Sequence, residues 1–298
     1  MRRADPEMVR RNCEQQSAKT EMRMKVFVFD LDKCNGCHNC QVACKDEHCD
    51  TSWLPYAAEQ PDTGQFWCKV DEEVCGKVPH VRVHYLPHLC NHCDNAPCIA
   101  AAPDAVSKRE DGIVLIDPKS AHNSEALVAS CPYGAIFWNE ELGIAQKCTG
   151  CAHLLDDGWK EPRCVDACCT GALRFGEEEE FESAIAQAEV LMPEAGTAPR
   201  VYYLNKPKRF IAMTVVDIEA DEVVEGADIV LQRISDEEVV ARSMTDEFGD
   251  VWLEGLEPDR YRMWIRKGGY LDLSAEFDLS EKDCSVPEMR FYRVPTAV

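Results

Sequence analysis

Residues 34–44 constrain the fold of this chain more than any other stretch. Their sequence, CNGCHNCQVAC, spaces four cysteines as C-x2-C-x2-C-x3-C, and these are Cys34, Cys37, Cys40 and Cys44. Loops of two residues can turn the first three sulfurs toward a common centre, while the fourth sulfur points toward a neighbouring one. The run therefore predicts a thiolate-bound metal cluster and a second, complementary group of cysteines elsewhere in the chain.

The last cysteine group of the chain is complementary to the first. Bacterial two-cluster ferredoxins hold cubane [4Fe–4S] clusters with this spacing, and each group there lends its fourth cysteine to the other cluster. By the same exchange, the sequence predicts two clusters here. Cluster 1 would be bound by Cys34, Cys37, Cys40 and Cys168. Cluster 2 would be bound by Cys148, Cys151, Cys164 and Cys44.

A third cluster is predicted from the cysteines between these groups. Its ligands would be Cys90, Cys93, Cys98 and Cys131. A fourth cluster would need cysteines at four further positions, where the chain has Ala102, Ala121, Ser124 and Leu127. The retained thiols form one complete set and the missing thiols form another. We therefore expect three cubanes on twelve cysteines.

Six cysteines remain outside these sets, and we interpret most of them as small residues without a role. They are Cys13, Cys49, Cys68, Cys75, Cys169 and Cys284. Cys169 is an alternative ligand because it follows Cys168. His38 and His92 lie between ligands, but packing is the simpler interpretation because the three sets are already full. Four basic residues flank ligands and are either ordinary solvated charges or groups that raise cluster potentials: Lys33, Lys45, Lys147 and Arg163.

Zinc and disulfides are the rival uses of 18 cysteines in 298 residues. Zinc sites of four cysteines are common, but they rarely show this interleaved spacing with a proline after the last ligand. Disulfides fit poorly because most of the cysteines lie two or three residues apart, and no signal peptide is visible. We therefore expect a protein of the reducing cytoplasm.

Charge and motifs exclude other classes of function. The net charge is −22 and no basic stripe is present, which argues against a nucleic-acid partner. No apolar run is long enough to span a membrane. P-loop, GxGxxG, hydrolase-elbow and HExxH motifs are all missing, so we assign no catalytic residue.

The predicted fold class is α+β, with a double ferredoxin-like iron–sulfur domain at residues 25–176. A polar, flexible arm is expected at residues 1–24. Within the iron–sulfur domain, residues 25–34 are rich in strand formers, and residues 105–117 indicate a β-hairpin around Asp111-Gly112. Residues 45–89 form a long insertion.

The remaining chain differs in character. In residues 177–207, Phe181, Ile185, Ala188 and Met192 share one face of a predicted helix near 178–192, and an extended linker follows. VYYL (201–204) in that linker is a candidate apolar contact surface for a partner. Residues 208–298 show short alternating runs separated by turns, which predict a small antiparallel β-sandwich.

The chain resembles the iron–sulfur subunits of DMSO-reductase-type molybdenum enzymes. The resemblance runs from about residue 25 to the C-terminus and rests on KCNGCHNCQVACKDEH, CNHCDNAPC, REDGIVLIDP, CPYGAIFWNEE and AQKCTGCAHLLDD. Loss of one cluster and the appended sandwich make it most similar to the pyrogallol–phloroglucinol transhydroxylase branch, to which catechol dehydroxylases are related. TDEFGDVWLEGLEPDRYRM resembles the turn-and-strand pattern of Cna-B or carboxypeptidase-regulatory-like modules, which are Ig-like sandwiches.

This resemblance implies a large catalytic subunit that carries molybdenum or tungsten on two pyranopterin guanine dinucleotides and binds a polyhydroxylated aromatic substrate. The present chain would be a non-catalytic relay of three cubanes between that subunit and an external electron donor. Three alternatives stay open. They are a relay subunit of another enzyme of this family, a free-standing polyferredoxin that docks with several partners, and a zinc-built structural protein.

Overall fold

The computed structural model describes residues 24–122 and 125–295. The arm predicted for residues 1–24 lies outside this part, apart from Met24. The chain forms two compact units: the first extends from the described start to Asp71 and includes Pro87–Asn205, and the second comprises Glu72–Leu86 with the residues from Lys206 onward. Within the described residues, no helix has the length and apolar character needed to cross a membrane.

The first unit has short elements joined by long loops, as the cysteine spacing predicts. Its short 3-10 helices are Leu31–Lys33, Glu178–Phe181 and Pro193–Ala195. In chain order, the other elements up to its end are β1 (Lys25–Asp30), α1 (Asn39–His48), β2 (Cys68–Lys77), β3 (His80–Leu89), α2 (Pro97–Ala101), β4 (Val106–Lys108), β5 (Val114–Ile116), α3 (Ala126–Ala129), β6 (Ile136–Asn139), β7 (Ile144–Lys147), α4 (Ala152–Asp156), α5 (Arg163–Asp166), β8 (Leu173–Glu177), α6 (Glu182–Ile185) and β9 (Val201–Leu204). The hairpin of β2 and β3 leaves this unit at Glu72 and returns at Pro87.

A three-stranded sheet with the order β8-β1-β9 organises the first unit. The strand predicted from KVFVFD is confirmed as β1, and its residues from Val26 to Phe29 are all buried, so both faces of the strand are covered. β1 pairs antiparallel with β8 and parallel with β9. VYYL is not an irregular linker but strand β9: Val201 and Tyr203 are buried, whereas Tyr202 and Leu204 are half-buried, so at most this second pair could contact a partner.

Two hairpins, β4–β5 and β6–β7, share a hydrophobic core with cysteines of the middle group. The hairpin predicted around Asp111-Gly112 is confirmed as β4 and β5, and Gly112 has a φ of 89°, a left-handed conformation that glycine adopts without a steric cost. Ala121 and Leu127 are buried in the core beneath these hairpins, and Ala102 packs against it. Apolar side chains therefore stand where a fourth cluster would need its ligands. Ser124, the remaining position of that set, lies outside the described residues.

The helix predicted near 178–192 is much shorter than expected. A 3-10 turn at Glu178–Phe181 leads into α6 (Glu182–Ile185), and regular helix ends there. The cause is a competing pairing, because the backbone N–H and C=O of Glu189 both bond to Tyr203 at 2.8 Å. The chain is extended at that point and cannot continue the helix.

The second unit contains two four-stranded sheets around one shared core, drawn from alternating residues such as Ile211, Met213, Leu231 and Met263. The strands are β10 (Arg209–Asp217), β11 (Glu222–Val223), β12 (Asp228–Arg233), β13 (Val239–Met244), β14 (Asp250–Leu256), β15 (Arg260–Arg266), β16 (Leu273–Asp278) and β17 (Cys284–Phe291). In one sheet β10 pairs with β11, β14 and β17, and the other sheet has the order β13-β12-β15-β16.

Two features of this unit differ from the prediction. The sandwich is not wholly antiparallel, because β17 returns along β10 in the parallel direction. The insertion was expected to belong to the iron–sulfur domain, but its tip, residues 72–86, groups with the second unit. There Cys75 packs against Phe210, and the ring of His80 lies 3.1 Å from both Thr214 and Asp250. The hairpin tip thus supplies side chains to the sheet of β10 and β14.

Truncation of Leu231 tests the shared core. Leu231 is fully buried, and we expect Leu231→Ala to lower the free energy of unfolding by about 2–5 kcal/mol because it loses apolar contacts and leaves a cavity. Leu271→Ala makes the same chemical change at an exposed turn and should have a much smaller effect. Urea denaturation followed by tryptophan fluorescence measures both variants. Equal losses in the two would contradict this description of the core.

Candidate iron–sulfur centres

Set one consists of the four cysteines predicted for cluster 1: Cys34, Cys37, Cys40 and Cys168. It forms where β1 and β8 meet. Cys34 follows β1 after one 3-10 turn, and Cys168 precedes β8. Antiparallel pairing of Phe29 with Leu173 brings these two ends of chain together. Sheet register therefore positions two ligands that are far apart in sequence.

The four thiols of set one interact with one another. Burial raises the pKa of Cys34, and the thiolates of Cys40, Cys168 and Cys37 raise it further, while the backbone N–H of Gly36 opposes the shift. Cys37 is exposed and the other three are half-buried. The structure therefore brings together all four residues predicted for this cluster, at a site that reaches the surface.

Set two consists of the residues predicted for cluster 2: Cys44, Cys148, Cys151 and Cys164. All four are buried. Burial raises the pKa of Cys44 well above its usual range, and the thiolates of Cys148, Cys164 and Cys151 act in the same direction. Helix α1 carries Cys40 of set one and Cys44 of set two. One helix therefore contributes a ligand to each of two neighbouring sites.

Set three consists of the residues predicted for cluster 3: Cys90, Cys93, Cys98 and Cys131. These four thiols line one pocket, together with Pro97, Pro132 and Lys147. Burial raises the pKa of Cys93 to about 11, and the thiolates of Cys90, Cys131 and Cys98 contribute to the shift. The structure thus brings together the third predicted set as well.

The spacing of the sulfurs argues against single metal ions in these sets. Four thiolates bound to one zinc ion at 2.3 Å lie about 3.8 Å from one another. Among the described residues, only Cys49, Asp50 and Asp62 offer three candidate ligand atoms that are all within 4.8 Å of one another. No three sulfurs of any set meet that limit, so each set is too wide for one ion and suits a cluster with several metal atoms.

Backbone donors and local charge also fit [4Fe–4S] clusters. The N–H of Gly150 donates to Cys148 Sγ, and the N–H of Leu173 donates to Cys168 Sγ, each at 3.3 Å. Burial raises the pKa of Cys148 to about 12 even though Lys147 acts in the opposite direction, so the thiol would stay protonated at neutral pH without a bound metal. Iron would supply the positive charge that allows such groups of thiols to ionise together.

Cys68 is a residue whose position the sequence did not reveal. It was interpreted as a small residue without a role, but its buried thiol hydrogen-bonds to Cys40 of set one and to Cys164 of set two. The hydrogen bond from Cys68 lowers the pKa of Cys40 to about 7. The backbone N–H of Cys68 also donates to the thiolate of Cys44. Cys68 therefore lies between the two sets, and its place in strand β2 gives no sequence signal of this.

Cys169 lies at the exposed edge of set one, where its sulfur is 4.0 Å from Cys37 Sγ.

The basic residues that flank the predicted ligands differ from one another in burial. Lys147 is buried, and its ammonium donates to the carbonyls of Val114 and Cys148. Lys33 is exposed and pairs with Asp30 at 2.8 Å. Of these two cations, only Lys147 is buried beside the ligands.

Removal of one ligand of set three tests the assignment of the sets. Cys131→Ala should lower the iron content by about four atoms per chain and spare the other clusters, because sets one and two keep all of their ligands. Cys284→Ala provides the control, since Cys284 belongs to the second unit. Iron and acid-labile sulfide on anaerobically purified protein measure the effect. A Cys131→Ala variant with its full iron content would show that the pairing is wrong.

Comparison with known proteins adds independent information. Residues 81–178 match a family model described as a 4Fe-4S dicluster domain. The pyrogallol hydroxytransferase small subunit of Pelobacter acidigallici is 39% identical over 258 residues, which cover 83% of this chain and 92% of that protein. A tetrathionate reductase subunit of Salmonella typhimurium is 38% identical, with 62% of this chain and 74% of that protein covered.

A sulfite dehydrogenase subunit of Allochromatium vinosum is 32% identical and is similar over 63% of this chain and 85% of its own length. Among solved structures, a group B streptococcus pilus 2b backbone protein has 18% identity and a TM-score of 0.25, with 29% of this chain and 41% of that chain covered. A score this low supports no inference about fold or function.

Proposed function

This chain belongs to the iron–sulfur small subunits of DMSO-reductase-type molybdenum enzymes, and from that premise we propose its particular role. It is an electron-transfer subunit, and its finer role is a relay of three [4Fe–4S] clusters held by sets one, two and three. When bound, the clusters supply one-electron transfer. The protein fixes their order, their distance from solvent and the charges around them.

The contacts between the sets support a linear order for this relay. Set two lies next to set one, because Cys40 and Cys44 share helix α1 and Cys68 contacts both sets. Set two also lies next to set three, because the thiolate of Cys90 raises the pKa of Cys148. Electrons would therefore pass between sets one and three through set two, which is the most deeply buried.

Set one would form the end of the relay that meets another protein. Cys37 is exposed, and Val42, which lies between Cys40 and Cys44, is 64% exposed. A cluster whose ligand reaches the surface can exchange electrons with a protein docked there, so set one is the end of the relay open to a partner. The partner we propose is a large catalytic subunit that carries molybdenum or tungsten on two pyranopterin guanine dinucleotides.

The proposed substrate of that complex is a polyhydroxylated aromatic compound, handled by transhydroxylation or by reductive dehydroxylation. One observation carries this proposal. The match to the pyrogallol hydroxytransferase small subunit covers 83% of the chain, so it extends into the second unit, whereas the matches to the tetrathionate reductase and sulfite dehydrogenase subunits cover 62% and 63%. The second unit is proposed as a Cna-B-like sandwich that stabilises the complex or contacts its partner.

Purification from the native cells under anaerobic conditions tests this proposal. We expect a single large chain to co-elute at a one-to-one ratio, to contain molybdenum or tungsten, and to convert pyrogallol or a catechol. Turnover without added reductant would indicate transhydroxylation, and dependence on a reduced dye would indicate dehydroxylation. A partner that acts on an inorganic oxyanion, or no stable partner at all, would contradict the proposal.

Removal of the buried charge at Lys147 tests the relay itself. Its ammonium interacts with the thiolates of Cys98 and Cys131, so Lys147→Met should lower the reduction potential of the set-three cluster. Lys119→Met, at an exposed position of the same unit, should leave all potentials unchanged. Redox titration monitored by EPR measures both variants. An unchanged set-three potential in Lys147→Met with full iron content would contradict the assigned role of this charge.

A further inference from the structure

His92 lies between two ligands of set three in the sequence, but its ring contacts a ligand of set two. It lies in the loop between Cys90 and Cys93, yet its Nε2 is 3.8 Å from Cys148 Sγ. The residue is 98% buried, since its relative exposure is 2%. Its backbone has a φ of 43°, a left-handed conformation that is uncommon outside glycine. The loop of one site thus places an imidazole against a ligand of the next.

The hydrogen bonds of the ring decide which nitrogen carries the proton. The backbone N–H of Val114 donates to Nδ1 of His92 at 3.1 Å. A nitrogen that accepts this bond has no hydrogen of its own, so the neutral imidazole carries its hydrogen on Nε2. A second proton on Nδ1 would point at the N–H of Val114. The position of the strand β5 backbone therefore makes Nε2 a donor toward Cys148 Sγ.

Neighbouring groups hold the ring in this orientation. The imidazole stacks on Phe27, with ring centroids 5.9 Å apart and an interplanar angle of 16°. Lys108 Nζ donates to the carbonyls of His92 and Cys93, at 3.0 and 2.8 Å. The backbone and the ring of His92 are thus both fixed, so the donor at Nε2 is preorganised.

A second histidine near set two provides a contrast. His48 Nε2 lies 3.9 Å from Cys151 Sγ, but Nδ1 of His48 is buried without a hydrogen-bond partner. Among the residues that the structure describes, no backbone group bonds to Nδ1 of His48, so either nitrogen can carry the hydrogen. The two rings approach the same set at similar distances, and only His92 is held in the donor form.

We propose that His92 is a positioning residue that donates a hydrogen bond from Nε2 to Cys148 Sγ and thereby raises the reduction potential of the set-two cluster. The proposal rests on the proposed relay, since it needs a cluster in set two. A hydrogen bond to a ligand sulfur withdraws electron density from the cluster and stabilises the reduced form. The reduction potential of the set-two cluster, the middle one of the relay, is then raised by a residue of the loop that holds ligands of the set-three cluster.

Two substitutions at one position separate the hydrogen bond from packing. His92→Leu removes the donor and keeps an apolar side chain, whereas His92→Gln keeps an amide donor at similar reach. We expect His92→Leu to lower the set-two potential and leave set one unchanged, and His92→Gln to restore part of the shift. His48→Leu is the matched control and should cause a smaller shift. Redox titration monitored by EPR measures the potentials, with the set-two signal identified by its loss in Cys151→Ala.

A spectroscopic measurement with His92 intact covers the case in which the substitutions prevent cluster assembly. Protein that carries His48→Leu and 15N-labelled histidine should show a 15N coupling to the reduced set-two cluster in pulsed EPR, because the labelled ring of His92 stays beside Cys148 while the ring of His48 is gone. Full iron content without that coupling, or an unchanged set-two potential in His92→Leu, would overturn the proposal. Four or fewer irons per chain in the unaltered protein would overturn the relay instead.

Discussion

Cysteine thiols crowded in a buried site cannot all ionise unless a cationic group neutralises the thiolates, and the first unit is built around this constraint. Burial and neighbouring thiolates raise the pKa values of Cys44, Cys93 and Cys148. Backbone N–H groups donate to the sulfurs, and Lys147 adds one buried positive charge. The first unit has short helices and strands because its loops have to wrap the clusters, so much of its stability should come from the metal.

The regular elements place ligands from distant parts of the sequence side by side. The register of β1 against β8 brings Cys34 close to Cys168, and helix α1 contributes one cysteine to set one and one to set two. Between neighbouring sets lie single side chains that touch both sides, namely Cys68 and His92. Both side chains are buried, so in the proposed relay they would fill the space between neighbouring sets. The sandwich has its own hydrophobic core and contributes no cysteine to any set.

Much of this organisation was predictable because cluster ligation imposes a spacing on the sequence. The cysteine groups, strand β1 and the hairpin at Gly112 follow from local patterns, and the exchange of a fourth cysteine between groups led to the three sets that the structure brings together. The short helix α6 was not predictable, since the pairing of Glu189 with Tyr203 is a long-range contact that overrides helical periodicity. The burial of Val201 and Tyr203 was not predictable, because a buried parallel strand and an exposed apolar segment have the same composition. The roles of Cys68 and His92 depend on contacts between loops far apart in sequence.

The number of metal atoms in the chain tests this account most directly. Iron, acid-labile sulfide and zinc should be measured per chain on anaerobically purified protein, with EPR of the reduced state. Three cubanes predict about twelve iron atoms, about twelve sulfides and no bound zinc. Four or fewer irons with stoichiometric zinc would contradict the account, because the three sets of thiols would then hold single structural ions and no electron relay.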